Sequence, residues 1–424
     1  MASMRDKSGR PIVVVTGSGL VTSLGAGKAD NWKRLTAGES GIRAITRFGT
    51  EGLKTRIAGT VDFVACPSAP DLCERLAEIA IEEAIAEAAI GSRKRFPGPL
   101  FVAVAPNEIE WPQREALAQA SGANDAVGYD DLLRAAASGG YRSFHERFIF
   151  GSVGEGLAET FGTEGSPISL STACASGASA IQLGFEAIRR GETDTALCVA
   201  TDGSVNVESL IRFSLLSALS VQNEPPEAAA KPFAKNRDGF VMAEGAGALV
   251  LESYEAAAAR GAKILGIVGG CGELADGFHR TRSSPDGKPI IGCMRRAIAD
   301  AGLETADIDY INAHGTGTPE NDKMECLSVS AVFEERAKEV PISSNKSMIG
   351  HSLSAAGAVE AVITLMTLMH QRIPPTINYR VPDPSIPLDV VPNVARDAHI
   401  RNAISNSFGF GGQNVTLVMS REPT

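Results

Sequence analysis

The chain alternates short runs of β-branched apolar residues with longer Ala-rich segments, in which apolar residues recur at helical spacing. Such alternation predicts an α/β fold. Pro11–Thr16 predicts a buried strand that ends before Gly17, and Asp71–Ile90 predicts an amphipathic helix. Up to Arg260 the pattern also predicts strands at Leu100–Ala105, Ile168–Leu170, Ala196–Ala200 and Gly245–Glu252, and helices at Ser171–Gly191 and Ser253–Arg260.

After Gly261 the pattern begins again. Two stretches that each mix strands with crossover helices predict an internal duplication, with halves at residues 1–261 and 262–424. The Gly/Ser/Asp-rich stretch around 106–166 interrupts the first half and is predicted to cap a site or to form an interface. The second half is predicted to hold strands at Lys263–Gly269, Ile308–Asn312, Pro341–Ser344, Ile404–Ser407 and Val415–Ser420, and helices at Pro289–Ala301, Asp322–Lys338 and Ala355–Gln371.

Composition excludes several classes of protein. With 44% hydrophobic and 21% charged residues, the 424-residue chain is typical of a globular protein. Its formal net charge of −10 argues against a dedicated nucleic-acid-binding protein. We find no apolar run of about 18 residues, and therefore expect no membrane span. Seven widely spaced cysteines without a CxxC pair argue against a disulfide framework or a structural zinc site, and favour a reducing, cytoplasmic setting.

One motif resembles a dinucleotide-binding loop but is incomplete. Gly17-Ser18-Gly19 follows a predicted strand, yet Thr22 stands where the third glycine is required. The chain also lacks a GxxxxGK[ST] phosphate-binding loop. We therefore expect neither a Rossmann cofactor site nor a nucleotide-phosphate site.

The segment PISLSTACASGASAIQLG contains the first candidate for chemistry, Cys174. Its small neighbours would allow a sharp turn from strand to helix and close approach of a substrate. A cysteine at a helix N-terminus lies near unpaired N–H groups that favour a thiolate and a developing oxyanion. The alternative interpretation is a small buried core cysteine, which is the commoner environment. The residues alone leave both open.

Two histidines lie at segment ends beside glycines, where side chains can point into a shared cleft. His314 opens the turn HGTGTPENDK, and His351 closes NKSMIGH. Lys346 precedes His351 by five residues, and Glu360, on an Ala-rich helix, could hold Lys346 or a histidine in place. Near the C-terminus SNSFGFGGQN could bring a backbone N–H and the aromatic ring of Phe408 close to a reacting atom.

Six ordered motifs together resemble the β-ketoacyl-acyl carrier protein synthases, the elongating condensing enzymes. The resemblance covers nearly the whole chain. The motifs are TACASG at Cys174, RDGFVMAEGAGALVLE at 237–252, NAHGTGTP at His314, NKSMIGH up to His351, PPTIN at 374–378, and NSFGFGGQN at the C-terminal end.

This resemblance implies a thiolase-like fold, in which two duplicated α/β halves stack in five layers (α-β-α-β-α), usually as a homodimer. It implies that Cys174 accepts the acyl chain and that His314 and His351 support decarboxylation. It also implies backbone N–H groups of Cys174 and Phe408 as the oxyanion hole, with Phe408 as a gate. Supporting residues would be Lys346 and Glu360 in the site, and Thr316 and Thr318 at the pantetheine arm.

The implied reaction joins an acyl chain on Cys174 to a malonyl group after loss of CO₂, which elongates the chain by two carbons. Both substrates would arrive on the phosphopantetheine arm of an acyl carrier protein, and no metal or redox cofactor is expected. Two alternatives remain open: a polyketide- or nodulation-type ketosynthase with the same chemistry, and a non-catalytic partner subunit. Retention of Cys174, His314 and His351 argues against the second.

Two departures from the family pattern point to a specialised chain length or carrier. The stretch around 106–166 does not follow the usual pattern. The predicted helix Asp71–Ile90 is rich in glutamate where relatives often present basic residues to an acidic carrier. The candidates that could replace that basic patch are Arg93, Lys94, Arg95, Arg142 and Arg212.

Overall fold

The computed structural model describes residues 5–6, 8–122 and 127–421. The first half contains eight strands and nine helices. The strands are β1 (Val13–Thr22), β2 (Gly25–Ala26), β3 (Arg43–Ala44), β4 (Ile57–Ala58), β5 (Leu100–Val104), β6 (Ile168–Leu170), β7 (Thr195–Asp202) and β8 (Gly245–Ser253). The helices are α1 (Lys28–Thr36), α2 (Ala69–Ala88), α3 (Trp111–Ala120), α4 (Tyr129–Ala137), α5 (Arg142–Phe148), α6 (Ser152–Phe161), α7 (Ser176–Arg189), α8 (Val207–Leu215) and α9 (Tyr254–Ala259).

The second half repeats this alternation after residue 265. Its strands are β9 (Gly266–Ala275), β10 (Tyr310–Asn312), β11 (Ile342–Ser343), β12 (Arg372–Ile373), β13 (Arg396–Asp397), β14 (Asn402–Phe408) and β15 (Gln413–Ser420). Its helices are α10 (Lys288–Asp300), α11 (Pro319–Phe333), α12 (Lys346–Ile349) and α13 (Ala356–His370). Short 3₁₀ turns lie at Pro226–Ala228, Thr305–Asp307, Glu334–Lys338 and Leu353–Ala355.

The two halves have the same strand order. The first half reads β6-β5-β7-β8-β1 across its sheet, and the second reads β11-β10-β14-β15-β9. When the five strands of each half are numbered along the chain, both orders become third, second, fourth, fifth, first. The sheets join where Val13–Val15 of β1 pairs antiparallel with Gly266–Val268 of β9. The prediction of two duplicated α/β halves is confirmed.

Five layers follow from where the helices pack. Helices α7 and α13 contact each other and the inner faces of both sheets, and share one apolar core with them. Helix α2 covers the outer face of the first sheet, where a second core lies. Helices α10 and α11 cover the outer face of the second sheet over a third core. The middle layer therefore holds one helix from each half, which puts their N-terminal ends near the boundary between the halves.

Strand β1 is longer than predicted, because its glycines do not end it. The pairing with β8 shifts register between Val15 and Gly17 and then continues to Thr22. A Cβ on Gly17 would lie 2.0 Å from the Ala84 carbonyl oxygen, and a Cβ on Gly19 would lie 1.9 Å from that of Ala80. Both glycines therefore allow α2 to pack closely against β1. This packing accounts for the Gly-x-Gly that follows the predicted strand.

The stretch around 106–166 folds mainly into helices α3 to α6, with residues 123–126 of it outside the described residues. Helix α6 packs against α2 and β5, so its end of the stretch belongs to the first half. Most of the side chains of α3, α4 and α5 are exposed.

The expectation that no segment could span a membrane needs one correction. Leu353–His370 is helical, long enough and apolar enough by composition, with a mean hydropathy of 1.4. Polar residues such as Glu360 interrupt it, so no continuous apolar run marks it in the sequence. Since 89% of this window is buried inside the protein, the segment is a core helix of the middle layer.

Candidate active site

Cys174 lies in the turn that joins β6 to α7, as the small residues around it predict. Ala173, just before it, has a left-handed φ of 49°, which is uncommon for a residue other than glycine and marks a sharp turn. The Ser176 hydroxyl donates to the Ala173 carbonyl at 2.6 Å and accepts the Thr172 N–H at 2.8 Å. These bonds fix a tight turn that places Cys174 at the N-terminal end of α7, with 8% of its surface exposed.

Two glycines bring the halves together behind this turn. A Cβ on Gly177 of α7 would lie 2.5 Å from the Ala358 nitrogen, and a Cβ on Gly357 of α13 would lie 2.6 Å from the Ala178 nitrogen. The two central helices therefore cross backbone to backbone, which any side chain at either position would prevent. This crossing sets how closely the second half approaches Cys174.

His314 follows β10 and is held through its backbone. The Glu325 carboxylate on α11 accepts the N–H groups of His314 and Gly315 at 2.8 and 2.7 Å. Gly315 and Gly317 have φ values of 39° and 80°, so the HGTG turn uses its glycines for left-handed backbone. Burial raises the pKa of Glu325 to about 7, although the two N–H groups lower it. The sequence does not mark Glu325 as a site residue, because a glutamate in the polar first half of a helix looks like any solvent-exposed glutamate.

His351 is held by the first half. Its N–H donates to the Val241 carbonyl at 2.8 Å, and its carbonyl accepts the Ala243 N–H at 2.9 Å. The segment RDGFVMAEGAG thus extends toward the second half and positions the imidazole. The Phe240 ring lies against that imidazole, with ring centroids 5.3 Å apart.

The structure brings Cys174, His314 and His351 together. The cysteine sulfur and one ring nitrogen of each histidine all lie within 4.8 Å of one another. The two imidazoles meet edge to face, with centroids 5.4 Å apart. Both nitrogens of His351 and Nδ1 of His314 are buried without a hydrogen-bond partner. All three side chains line one cavity that is partly open to solvent.

Unpartnered buried ring nitrogens are unusual in a folded protein, where such groups are nearly always satisfied. Here they face a cavity, so they are available to a ligand. Among the described residues, the same three side chains also lie close enough together to hold a metal ion. That no metal is needed stays a prediction.

The environment keeps all three groups uncharged at neutral pH. Burial raises the pKa of Cys174 to about 11, although the Phe410 N–H and the Lys346 charge lower it. Burial and the positive charge of Lys346 hold the pKa values of His314 and His351 well below the ordinary value. Burial of the resting sulfur thus opposes the thiolate that the helix end is expected to favour.

We expect alkylation of Cys174 by iodoacetamide to accelerate with pH without reaching a plateau. A thiol with a raised pKa is protonated at neutral pH, and only the thiolate reacts. Below a pKa of about 11, the thiolate fraction, and with it the rate, rises about tenfold per pH unit. Peptide mass spectrometry between pH 7 and 9 measures the rate at Cys174 alone. A plateau below pH 8 would show that the resting cysteine is already a thiolate.

Lys346 and Glu360 form an ion pair beside the histidines. Both side chains are almost fully buried, with 2% and 1% exposure, as the hypothesis that Glu360 holds Lys346 requires. Burial raises the pKa of Glu360 to about 7, and Lys346 lowers it. The second carboxylate oxygen of Glu360 has no hydrogen-bond partner. Breaking a buried pair by removing one partner leaves an uncompensated charge, so each residue depends on the other.

The glycine-rich C-terminal loop contributes a different backbone group from the one predicted. The backbone N–H of Phe410 faces the Cys174 sulfur and lowers the pKa of its thiol. Phe408, which sequence analysis named for both the oxyanion hole and the gate, ends β14 and packs its ring on His314 with centroids 5.6 Å apart. The N–H beside the sulfur thus lies two residues further along the chain than predicted, because β14 extends through Phe408 and the loop starts only after it. That Phe408 acts as a gate stays a prediction.

Thr316 and Thr318 line the same cavity, and their hydroxyl groups lie 2.9 Å apart. The Thr318 hydroxyl also accepts the Asn321 N–H at 3.2 Å and caps α11. Hydroxyl groups at the wall of an open cavity suit a polar, extended ligand. Their contact with a pantetheine arm stays a prediction.

Comparison with known proteins agrees with this geometry. Residues 10–257 match the family model described as the N-terminal domain of beta-ketoacyl synthase, and residues 265–380 match that of its C-terminal domain. The chain is 36% identical over 414 residues to 3-oxoacyl-[acyl-carrier-protein] synthase 2 of Coxiella burnetii, which covers 96% of this chain and 98% of that protein. It is also 36% identical over 419 residues to the tetracenomycin polyketide synthase ketoacyl synthase alpha subunit of Streptomyces glaucescens, which covers 96% and 97%.

Solved structures give the same result. A ketosynthase of a type II polyketide synthase, in complex with its acyl-carrier protein, superposes with a TM-score of 0.86 at 33% identity over 97% of this chain and 100% of that chain. A beta-ketoacyl synthase from Burkholderia phymatum superposes with a TM-score of 0.82 at 30% identity, again over 97% and 100%. These neighbours share the thiolase-like arrangement described above.

Proposed function

The chain belongs to the β-ketoacyl synthase family of condensing acyltransferases, and from that premise we propose that it is a 3-oxoacyl-[acyl-carrier-protein] synthase. In this proposal Cys174 carries the acyl chain, while His314 and His351 drive decarboxylation of a malonyl-carrier. The observation that carries the proposal is the meeting of these three side chains in one cavity.

The first step transfers the acyl group to the cysteine. The Cys174 sulfur attacks the thioester carbon of the acyl-carrier, and a neutral imidazole accepts the thiol proton. The Phe410 N–H, which faces the sulfur, is placed to stabilise the oxyanion together with the N–H of Cys174 itself. The C–S bond to the carrier then breaks, and the carrier thiolate takes the proton as it leaves.

The second step forms the new carbon–carbon bond. A malonyl-carrier loses CO₂, and the electron pair of the broken bond becomes an enolate on its thioester. His314 and His351 donate N–H bonds to that enolate oxygen, a role that suits neutral imidazoles, whose low pKa values keep them uncharged. The enolate carbon attacks the acyl-Cys174 carbonyl, the bond from that carbonyl carbon to the sulfur breaks, and the released Cys174 thiolate takes a proton from solvent. The product is a 3-oxoacyl-carrier two carbons longer.

Lys346 and Glu360 act through the histidines. The Lys346 ammonium lowers the pKa of both imidazoles, and Glu360 holds that ammonium in place. We propose that the pair keeps both histidines neutral while the malonyl group loses CO₂. Thr316 and Thr318 would hydrogen-bond the pantetheine arm on its way to Cys174.

Reconstitution tests the proposed reaction. The purified protein is incubated with malonyl-carrier and a series of acyl-carriers from short to long chains, and the carriers are examined by mass spectrometry. We expect 3-oxoacyl products that are two carbons longer than the donor. Unchanged carriers across the whole series would refute the proposal.

A second candidate, a polyketide-type ketosynthase, has support of its own. Polyketide ketosynthases match the chain at 35–36% identity, as closely as the fatty acid enzymes do. The chemistry is the same and the products differ. A single elongation per acyl chain identifies the fatty acid reaction, whereas a poly-3-oxo chain from repeated malonyl additions identifies the polyketide reaction.

We also propose that the protein forms a homodimer through the first half. Strand β6 ends its sheet and pairs on one side only, with β5. Of the fifteen large apolar side chains that are exposed in the described part of the chain, ten lie between residues 111 and 216. Residues 107–110 connect the exposed apolar residues near Ile149 with those of α8. Asn107 donates to the Ile149 carbonyl, and Glu108 pairs with Arg212 of α8. An open sheet edge flanked by exposed apolar residues is typical of an interface.

Leu215→Glu should break this dimer. Leu215 is 80% exposed in the single chain, and a charge there would be buried in the proposed interface. Sedimentation should give twice the chain mass of 44.3 kDa for the unchanged protein and the single mass for the variant. Val394→Glu, at a 72% exposed site in the second half, is the matched control and should remain dimeric. A concentration-independent monomer before substitution would refute the homodimer.

The remaining proposals concern setting and cofactors. We propose a cytoplasmic location, which the seven free cysteines support. Neither proposed step transfers an electron, so the chemistry needs no redox cofactor, and the neutral imidazoles supply the stabilisation that a metal ion would otherwise provide.

A further inference from the structure

The mouth of the catalytic cavity carries two arginines that the proposed reaction does not yet use. Arg280 and Arg282 lie in the segment between β9 and α10, and both line the same cavity as Cys174. We call residues 277–284 the mouth loop. Its Phe278 side chain is 56% exposed, so the loop faces solvent as well as the cavity.

The backbone of the mouth loop is fixed on both sides. The Asp276 carboxylate accepts the N–H groups of Phe278 at 3.0 Å and Ser284 at 2.7 Å. The Arg280 carbonyl accepts the Gly411 N–H at 2.8 Å, next to the Phe410 group that faces the sulfur. Both arginine side chains therefore extend from a backbone that these hydrogen bonds fix in place.

Within the described part of the chain, neither guanidinium forms a salt bridge. Among the residues that the structure describes, no carboxylate lies within 4.0 Å of Arg280 or Arg282. Two acidic residues line the cavity: Asp276, whose oxygens accept the backbone N–H groups above, and Glu320. The cavity mouth thus presents two unpaired positive charges in a chain with a net charge of −10.

Three of the arginines suggested from the sequence for carrier recognition are paired with carboxylates, whereas Lys94 and Arg95 form no salt bridge with the described residues. Arg93 pairs with Glu78 and Glu82 of α2, and Arg212 pairs with Glu108. Arg142 pairs with Glu146 in its own helix. The glutamates of α2 are also occupied: for example, Glu83 accepts the N–H groups of Leu20 and Lys28 at 3.0 and 2.9 Å. Paired charges offer little to an incoming anion.

We propose that Arg280 and Arg282 bind the phosphate of the substrate's phosphopantetheine arm. This inference rests on the proposed function, because it assumes that the thioester at Cys174 arrives on that arm. A guanidinium presents paired N–H donors that match phosphate oxygens, and the bond is charge-assisted. A phosphate held at the mouth would leave the rest of the arm to pass Thr316 and Thr318 toward Cys174. The subsite orients the donor before chemistry begins.

Truncated donors separate the phosphate from the carrier protein. The test compares acyl-4′-phosphopantetheine with acyl-pantetheine, which lacks the phosphate, as donors for acylation of Cys174. We expect kcat/KM to be about tenfold or more higher for the phosphorylated donor, since a hydrogen bond to a charged group contributes about 1.5–3 kcal/mol. In the double variant Arg280→Ala/Arg282→Ala that preference should fall to about one. The rate with acyl-pantetheine should stay unchanged.

Two further variants complete the design. Arg280→Lys/Arg282→Lys keeps the charge without the paired donors and should retain part of the preference. Arg401→Ala, at an exposed site outside the cavity lining, is the matched control for loss of an arginine and should retain all of it. Each remaining outcome overturns the phosphate subsite: no preference in the unchanged protein, an equal loss with both donors, or a loss confined to carrier-bound substrates. Absence of acylation by any donor would instead refute the proposed function itself.

Discussion

Replacement of Cys174 by alanine should lower condensation by about 10³-fold or more, because the acyl chain then has no nucleophile to carry it. Release of CO₂ from malonyl-carrier should persist, since both imidazoles and the cavity remain. Alanine is smaller than cysteine and fits the tight turn, so the fold should not change. The measurement is CO₂ release and 3-oxoacyl formation in the same reaction mixture.

Cys198 provides the matched control for this variant. It lies fully buried in β7, away from the catalytic cavity. Cys198→Ala should leave condensation close to that of the unchanged protein. Loss of CO₂ release together with condensation in Cys174→Ala would contradict the separation of roles between the sulfur and the imidazoles.

Replacement of His314 or of His351 by alanine should each slow CO₂ release by about 10²–10³-fold. This is the usual loss of rate when one N–H donor to a developing oxyanion is removed. The two imidazoles are proposed to bind the same oxygen, so the double variant should cost less than the product of the single losses. The cavity that either truncation leaves is open to solvent, which limits the loss of stability. The assay is CO₂ release from malonyl-carrier in the Cys174→Ala background, where condensation cannot interfere.

A conservative substitution makes this prediction specific. His351→Asn replaces the imidazole with an amide that still offers an N–H donor, and should retain more activity than His351→Ala. His370, which stacks on Trp32 outside the cavity, serves as the control, and His370→Ala should not affect CO₂ release. Unchanged CO₂ release in either His314→Ala or His351→Ala would refute the paired role.

Local patterns predicted the alternation of strands and helices, the duplication and the tight turn at Cys174. The thiolase-like fold and the roles of Cys174, His314 and His351 came from the resemblance to a family. Small residues around Cys174 allow the left-handed turn at Ala173, and Gly177 and Gly357 allow α7 and α13 to cross. The alternation of strands and helices repeats after Gly261, and both halves have the same strand order. Such features are visible in the residue types themselves.

What the sequence could not predict depends on burial and on partners distant along the chain. The raised pKa of Cys174 follows from desolvation by both halves, whereas the local helix end suggested a thiolate. The backbone group at the sulfur belongs to Phe410 rather than Phe408, since only the register of β14 decides where the loop begins. Glu325 and the mouth loop were missed for the same reason: their role comes from contacts across the cavity.

Mass spectrometry of the intact protein after incubation with acyl-carrier alone tests the central claim most directly. We predict a mass gain equal to one acyl group, located on the peptide that contains Cys174, and its disappearance with release of 3-oxoacyl-carrier once malonyl-carrier is added. An acyl group on a different residue, or one on Cys174 that malonyl-carrier cannot remove, would contradict the account.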